Sequence, residues 1–229
     1  MDKKLIIFGA NGALGKGVTK TLLSKDYDEI YLFDFKFDAS FSDSRVKQFV
    51  VKDLSIEKNV MVSLFDVKTN EKTKLFLYST IGGFYGGTSV WDTEEVDFDR
   101  MINMNLKTNF FIAKHFSALV KKSYGGSICL TSAFTGNHPE ELKFSYGAAK
   151  SALNYLVKTL SLEGNSINLS INAIAPFIID TPANREWMKN ANYASWMKPE
   201  EIGELIHSLF NHFNFVSGNI IELKNRFNG

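Results

Sequence analysis

Lys4-Leu5-Ile6-Ile7-Phe8-Gly9-Ala10-Asn11-Gly12-Ala13-Leu14-Gly15 decides the fold of this chain. The apolar run Lys4 to Phe8 is too brief for a helix and typical of a strand buried on both faces. Glycines at 9, 12 and 15 let the backbone turn tightly and approach a pyrophosphate. The helix predicted from about Ala13 to Ser24 then points its positive end at the phosphates. A second strand, Glu29 to Phe33, hands over to Asp34. An acidic residue about 20 positions beyond the glycines is placed to hydrogen-bond both hydroxyls of an adenosine ribose, and it repels a 2′-phosphate. A lone glycine motif can be only a tight turn, but strand, glycines, helix, strand and acid in this order predict a dinucleotide site. NAD is favoured there, with Lys36 softening the discrimination and NADP as the alternative.

Alternation continues along the chain. Strands are predicted at Val46 to Val51, Lys74 to Tyr78, Ser127 to Thr131, Leu169 to Ala175 and Asn219 to Leu223. A helix after Asp53-Leu54 has Ser55 as its candidate cap. Long helical stretches follow at about Asp97 to Lys122, Tyr146 to Gly164 and Pro199 to Phe213. An irregular aromatic segment, 177–198, reads as a lid. The pattern implies an α/β fold: a doubly wound parallel sheet of about seven strands, with helices on both faces and right-handed crossovers. At 229 residues the chain is expected to form one domain, 1–229, long enough to bury about 70% of the surface its unfolded form exposes.

The 26 basic and 25 acidic residues are dispersed and leave a net charge of +1, so no basic stripe points to nucleic acid. No apolar stretch approaches the roughly 20 residues of a membrane span. The first apolar run is cut by glycines and Asn11 well below the length of a secretory signal. A cytoplasmic location and no membrane partner are the expectations. Cys129 lies inside the apolar run Ser127 to Leu130 and reads as a buried structural thiol. His115, His138, His207 and His212 show no ligand spacing, so no metal site is expected.

Ser145-Tyr146-Gly147-Ala148-Ala149-Lys150 carries the chemistry. A tyrosine and a lysine four apart share one helix face, where a fixed ammonium can favour the ionised phenol. Ser132, fourteen residues upstream, stands at the end of the fifth strand. The tract Thr80-Ile81-Gly82-Gly83-Phe84-Tyr85-Gly86-Gly87 follows the fourth strand, where a bound dinucleotide would lay its ribose and nicotinamide. On composition alone it would be a flexible loop.

Over essentially its whole length the chain resembles the short-chain dehydrogenase/reductase family. The family's marks stand at Gly9 to Gly15, Asp53, Asn105 within Ile102-Asn103-Met104-Asn105-Leu106, Ser132, Tyr146, Lys150, and Asn172 to Pro176 leading to Thr181. The spacing GxxGxxG in place of GxxxGxG, and Phe177 in place of the glycine after the proline, are similar to the dihydropteridine reductase branch. So are the Gly82 to Gly87 loop, Ile179 to Arg185, and Tyr193-Ala194-Ser195-Trp196. That branch generally lacks the serine and asparagine of the common tetrad, which stand here as Ser132 and Asn105.

The resemblance implies a Rossmann-type fold and hydride transfer from a nicotinamide. Tyr146 would donate the proton, Lys150 would lower the tyrosine's pKa and hold the ribose hydroxyls, and Ser132 would orient the atom that gains the proton. Asn105 would anchor a water beside the lysine; a polar residue capping a helix bulge is the alternative. The cofactor would lie against Gly9, Asn11, Gly12, Ala13, Leu14, Gly15, Asp34, Asp53, Leu54, Thr80, Ile81, Gly82, Tyr146, Lys150, Pro176 and Thr181. Phe84 and Tyr193 are the aromatic candidates for a small-molecule substrate. A homodimer or homotetramer is expected. Three functions stay open: reduction of a small planar conjugated substrate such as a quinonoid dihydropterin, general carbonyl or 3-oxoacyl reduction, and a dinucleotide-binding sensor without turnover.

Overall fold

In the computed structural model, which describes residues 1–227, seven parallel strands form one sheet in the order β3-β2-β1-β4-β5-β6-β7. They are β1 (Asp2–Phe8), β2 (Glu29–Asp34), β3 (Val46–Val50), β4 (Thr73–Ser79), β5 (Gly125–Thr131), β6 (Leu169–Pro176) and β7 (Ile220–Leu223). The helices are α1 (Ala13–Leu23), α2 (Glu57–Ser63), α3 (Glu95–Ile102), α4 (Thr108–Val120), α5 (Phe144–Glu163), α6 (Pro182–Trp187) and α7 (Pro199–Asn211).

Period-two alternation sends each strand's side chains to two separate cores. Ile6, Phe8, Tyr31, Phe33, Leu75, Leu77, Ile128 and Leu130 face α2, α4 and α5, where Val60, Ile112, Phe116, Leu153 and Val157 cover them. Leu5, Ile7, Ile30, Leu32, Phe76, Tyr78 and Cys129 face the other way, under Val18 and Leu22 of α1 and Ile202, Ile206 and Phe210 of α7. Both faces being covered is why the inner strands are continuous apolar runs. Burial pushes the Cys129 thiol up to about 12, the behaviour of a structural cysteine.

Strand order reverses between β1 and β4, so the loops after these two strands diverge and open a crevice at their carboxyl ends. Two local readings change. Ser55 does not cap α2: the helix begins after Ile56 without a side-chain cap, and the Ser55 N–H donates to Asp53 Oδ1 at 2.8 Å. The long helix expected at 97–122 is interrupted by a π-helical turn, Asn103–Lys107, between α3 and α4.

Candidate functional site

The Gly9 to Gly15 segment leaves β1 and enters α1 as a cradle that side chains cannot share. Gly9 has φ +79°, and a Cβ there would meet Thr80 Oγ1 at 2.1 Å; one on Gly15 would stand 2.0 Å from the Gly9 carbonyl. Gly12 caps α1 without a side-chain hydrogen bond. The N–H groups of Ala13, Leu14 and Gly15 have no acceptor among the described residues. Three aligned orphan donors at the positive end of an eleven-residue helix suit a pyrophosphate.

Asp34, the last residue of β2, is buried. Its Oδ2 accepts the Asn11 N–H at 2.8 Å and its Oδ1 the Phe35 N–H at 2.7 Å. The carboxylate thus ties the glycine turn to the second strand and keeps lone pairs for ribose hydroxyls. Asn11 Oδ1 accepts the Asp38 N–H at 3.2 Å, and Lys16 pairs with Asp38. Beside Asp34 lies a cleft of about 530 Å³ that also takes in Asp53, Leu54 and Ile81. Its far wall, which the sequence did not single out, is built by Arg100, Asn103, Met104 and Thr108. Thr80, after β4, donates its hydroxyl to the Gly9 carbonyl at 3.0 Å and so ties the loop after β4 to the glycine turn.

Tyr146, Lys150 and Asn154 lie at i, i+4 and i+8 on α5 and present one face to the end of β5. Lys150 Nζ is buried, donates to the Thr131 carbonyl at 2.7 Å, and stands 5.8 Å from the Tyr146 ring centroid. Desolvation pulls its pKa down to about 7. The Tyr146 phenol moves the opposite way from the expectation: burial, with the nearby Glu140 carboxylate, pushes it up to about 12. The lysine does not lower it here: with its own pKa down near 7, Lys150 is neutral in the range where a phenol ionises and brings no charge to bear on it.

Asn105 is fully buried on the π-helical turn. Its amide donates to the carbonyls of Gly83 at 3.0 Å and Met101 at 3.1 Å and accepts the Gly83 N–H at 3.2 Å. Its own carbonyl takes a hydrogen bond from Asn109 Nδ2 at 2.9 Å. With both amide protons engaged, Asn105 clamps the loop after β4 rather than donating to a water beside Lys150. A Cβ on Gly82 would meet Asn105 Oδ1 at 2.6 Å and Lys150 Nζ at 3.0 Å, which places Gly82 between the clamp and the lysine.

Ser132 is 2% exposed and donates its hydroxyl to Asn154 Oδ1 at 2.6 Å. Phe84 stands edge-on to Tyr146 with ring centroids 5.1 Å apart. Trp187 of α6 reaches Phe84 at 6.3 Å. Tyr193 is engaged elsewhere: its hydroxyl donates to the Lys189 carbonyl at 2.9 Å, with the Arg185 carbonyl 3.2 Å away, and Arg185 and Trp196 pack against its ring. It braces segment 177–198 instead of meeting Tyr146. Trp196 of the same segment is 2% exposed, its ring centroid 4.9 Å from that of Tyr193. Pro176 ends β6 in the core, and Thr181 accepts the Asn184 N–H as the cap of α6.

A sequence profile described as short chain dehydrogenase matches residues 3–192. The chain belongs to the short-chain dehydrogenase family. The dihydropteridine reductase of Dictyostelium discoideum is 29% identical over 207 residues, covering 89% of this chain and 86% of that one. The 3-oxoacyl-acyl-carrier-protein reductase FabG of Chlamydia muridarum is 25% identical over 248 residues, covering 97% and 96%. ElxO with NADP bound superposes with a TM-score of 0.82 at 21% identity over 97% of both chains, a likeness of fold. The protein is therefore an NAD(P)-dependent short-chain oxidoreductase. No helix among the described residues is long and apolar enough to cross a membrane.

Proposed function

We propose that this protein reduces a small, flat, conjugated heterocycle of the dihydropteridine kind, with NADH preferred to NADPH. Phe84 carries the reading. Its ring is 54% exposed beside Tyr146, with Trp187, 71% exposed, flanking it. A planar substrate within reach of the Tyr146 hydroxyl stacks on such a ring with a gain of about 0.5–1.5 kcal/mol, which a flexible acyl chain does not collect.

When bound, the nicotinamide supplies a hydride at its C4 carbon. The residues do the rest. With its phenol near 12, Tyr146 is fully protonated at neutral pH and donates its proton to the atom that gains charge. Lys150 holds the ribose hydroxyls, and α1 holds the pyrophosphate on the N–H groups of Ala13, Leu14 and Gly15. Asp34 receives the adenosine ribose and disfavours a 2′-phosphate. Segment 177–198 closes over the substrate, with Trp187 at its inner edge and Thr181 and Pro176 on the carboxamide side.

General carbonyl or 3-oxoacyl reduction is the second reading, supported by the presence of both Ser132 and Asn105 and by the likeness to FabG. Initial rates with NADH and NADPH against quinonoid dihydropterin, quinones and acyl carbonyls separate the two. Phe84→Ala should raise KM for a pterin or quinone by about tenfold or less, within the stacking energy, and leave NADH affinity unchanged. Turnover of acyl carbonyls with none on any planar heterocycle would refute the proposal.

A further inference from the structure

A line of hydrogen bonds runs from Ser132 through Asn154 and Asn137 to Glu222 on β7, and its direction is fixed at the far end. Asn137 and His138 hold the Glu222 carboxyl below its ordinary value, and an ionised carboxylate only accepts. Asn137 therefore turns its Nδ2 to Glu222 Oε1 at 3.0 Å. That leaves Asn137 Oδ1 to accept Asn154 Nδ2 at 2.8 Å. Asn154 Oδ1 then faces Ser132 Oγ at 2.6 Å. It carries no proton, so the Ser132 hydroxyl must give its only one. Turned toward a substrate instead, the hydroxyl would leave two acceptor oxygens facing each other at that distance.

We propose that Ser132 meets the substrate as a hydrogen-bond acceptor, and that Glu222, Asn137 and Asn154 are positioning residues that impose this polarity. The site then selects a substrate carrying an N–H or O–H donor next to the atom protonated by Tyr146, as a cyclic amide or amidine does. This inference rests on the planar-heterocycle reading for the substrate's shape, but the polarity of Ser132 follows from the hydrogen-bond chain alone. A bare ketone oxygen at Ser132 would face lone pairs without a donor, and one unmade neutral hydrogen bond corresponds to about a tenfold loss.

Glu222→Gln releases the chain, since an amide at this half-buried position can donate to Asn137 and let both asparagines turn over. The first measurement is calorimetric affinity of the enzyme with bound NAD for isatin and N-methylisatin, planar probes that differ in one N–H. The parent protein should favour isatin by about tenfold more than Glu222→Gln does. The combined Glu222→Gln, Asn154→Asp variant should restore the preference, because a carboxylate at 154 accepts from Ser132 whatever lies beyond it. The same ratio in the parent and in Glu222→Gln would overturn the inference. The second measurement is the side-chain amide spectrum of the 15N-labelled protein, which needs no ligand. Both Asn137 and Asn154 signals should shift in Glu222→Gln; an unmoved Asn154 would refute the chain. Binding of neither probe, with both amide signals shifted, would refute the planar-heterocycle reading and the substrate half of this inference while upholding the Ser132 polarity.

Discussion

Replacing Lys150 by methionine should make the cofactor-free protein more stable near pH 6 and less stable near pH 10. Lys150 is buried with one hydrogen bond, to the Thr131 carbonyl, and desolvation takes its pKa from an ordinary 10.5 to about 7. The charged form is the one the fold disfavours. The unfolded chain holds the proton up to about 10.5 and the folded chain releases it near 7, so stability rises with pH across that window. Below pH 7 the full penalty is present. At about 1.4 kcal/mol for each tenfold step it is of the order of 5 kcal/mol. Methionine removes this cost but leaves the Thr131 carbonyl without its donor, at about 1–3 kcal/mol. The difference predicts a gain of about 2 kcal/mol or more near pH 6. Near pH 10 less than about 1 kcal/mol of the penalty is left, and the loss prevails. Cys129 and the buried Tyr27 and Tyr78, whose pKa values burial raises, act in the opposite sense in alkali but cancel in the comparison of variant with parent. Urea unfolding at both pH values measures the two differences. A variant less stable than its parent at pH 6, or a pH-independent difference, would refute the argument.

Tyr146→Phe should leave the fold and NADH affinity intact and lower the hydride-transfer rate by about 100-fold or more, the scale of a lost general acid; near-normal single-turnover rates would remove Tyr146 as the donor. NAD should bind more tightly than NADP, and Asp34→Ala should narrow the gap. It should also destabilise the protein by about 1–3 kcal/mol, because the Asn11 and Phe35 N–H groups lose their acceptor. Calorimetry and urea unfolding check the two effects, and equal affinities in the parent would defeat the charge argument. Sedimentation at micromolar concentration should show a dimer or tetramer through the outer faces of α4 and α5, where Phe110, Tyr155 and Leu162 remain exposed. A monomer would contradict it.

The part of this architecture set by local periodicity was legible. Lys4 to Phe8, the three glycines and Asp34 lie within 31 residues and describe one strand-turn-helix-strand unit. The features that were not legible depend on what distant segments bring. Nothing in residues 97–122 announces the π-helical turn, because its cause is the loop after β4: Asn105 is turned inward to pair with both backbone groups of Gly83. Tyr193 is the kind of aromatic residue that faces a substrate, yet Arg185 and Trp196 of its own segment pack against its ring. The same holds for α4 and α5, whose apolar residues do not declare which face they serve: Ala113 and Leu153 are fully buried in the core beside the sheet, while Phe110, Tyr155 and Leu162 stay exposed.

Asn154 shows where the limit lies. Its spacing was available, since i, i+4 and i+8 place Tyr146, Lys150 and Asn154 on one line, and a polar residue on the core side of a helix calls for a partner. What the spacing could not supply was the identity of that partner. Ser132 lies 22 positions back and Glu222 lies 85 positions beyond Asn137, and only the parallel pairing of β7 beside β6 brings the carboxylate to that end of the sheet. The polarity of the serine is thus a tertiary property. Any sequence with Ser132, Tyr146 and Lys150 but an apolar residue at 137, 154 or 222 would carry the same motif with a hydroxyl free to donate, so the motif alone cannot distinguish a site built for a ketone from one built for a ring N–H.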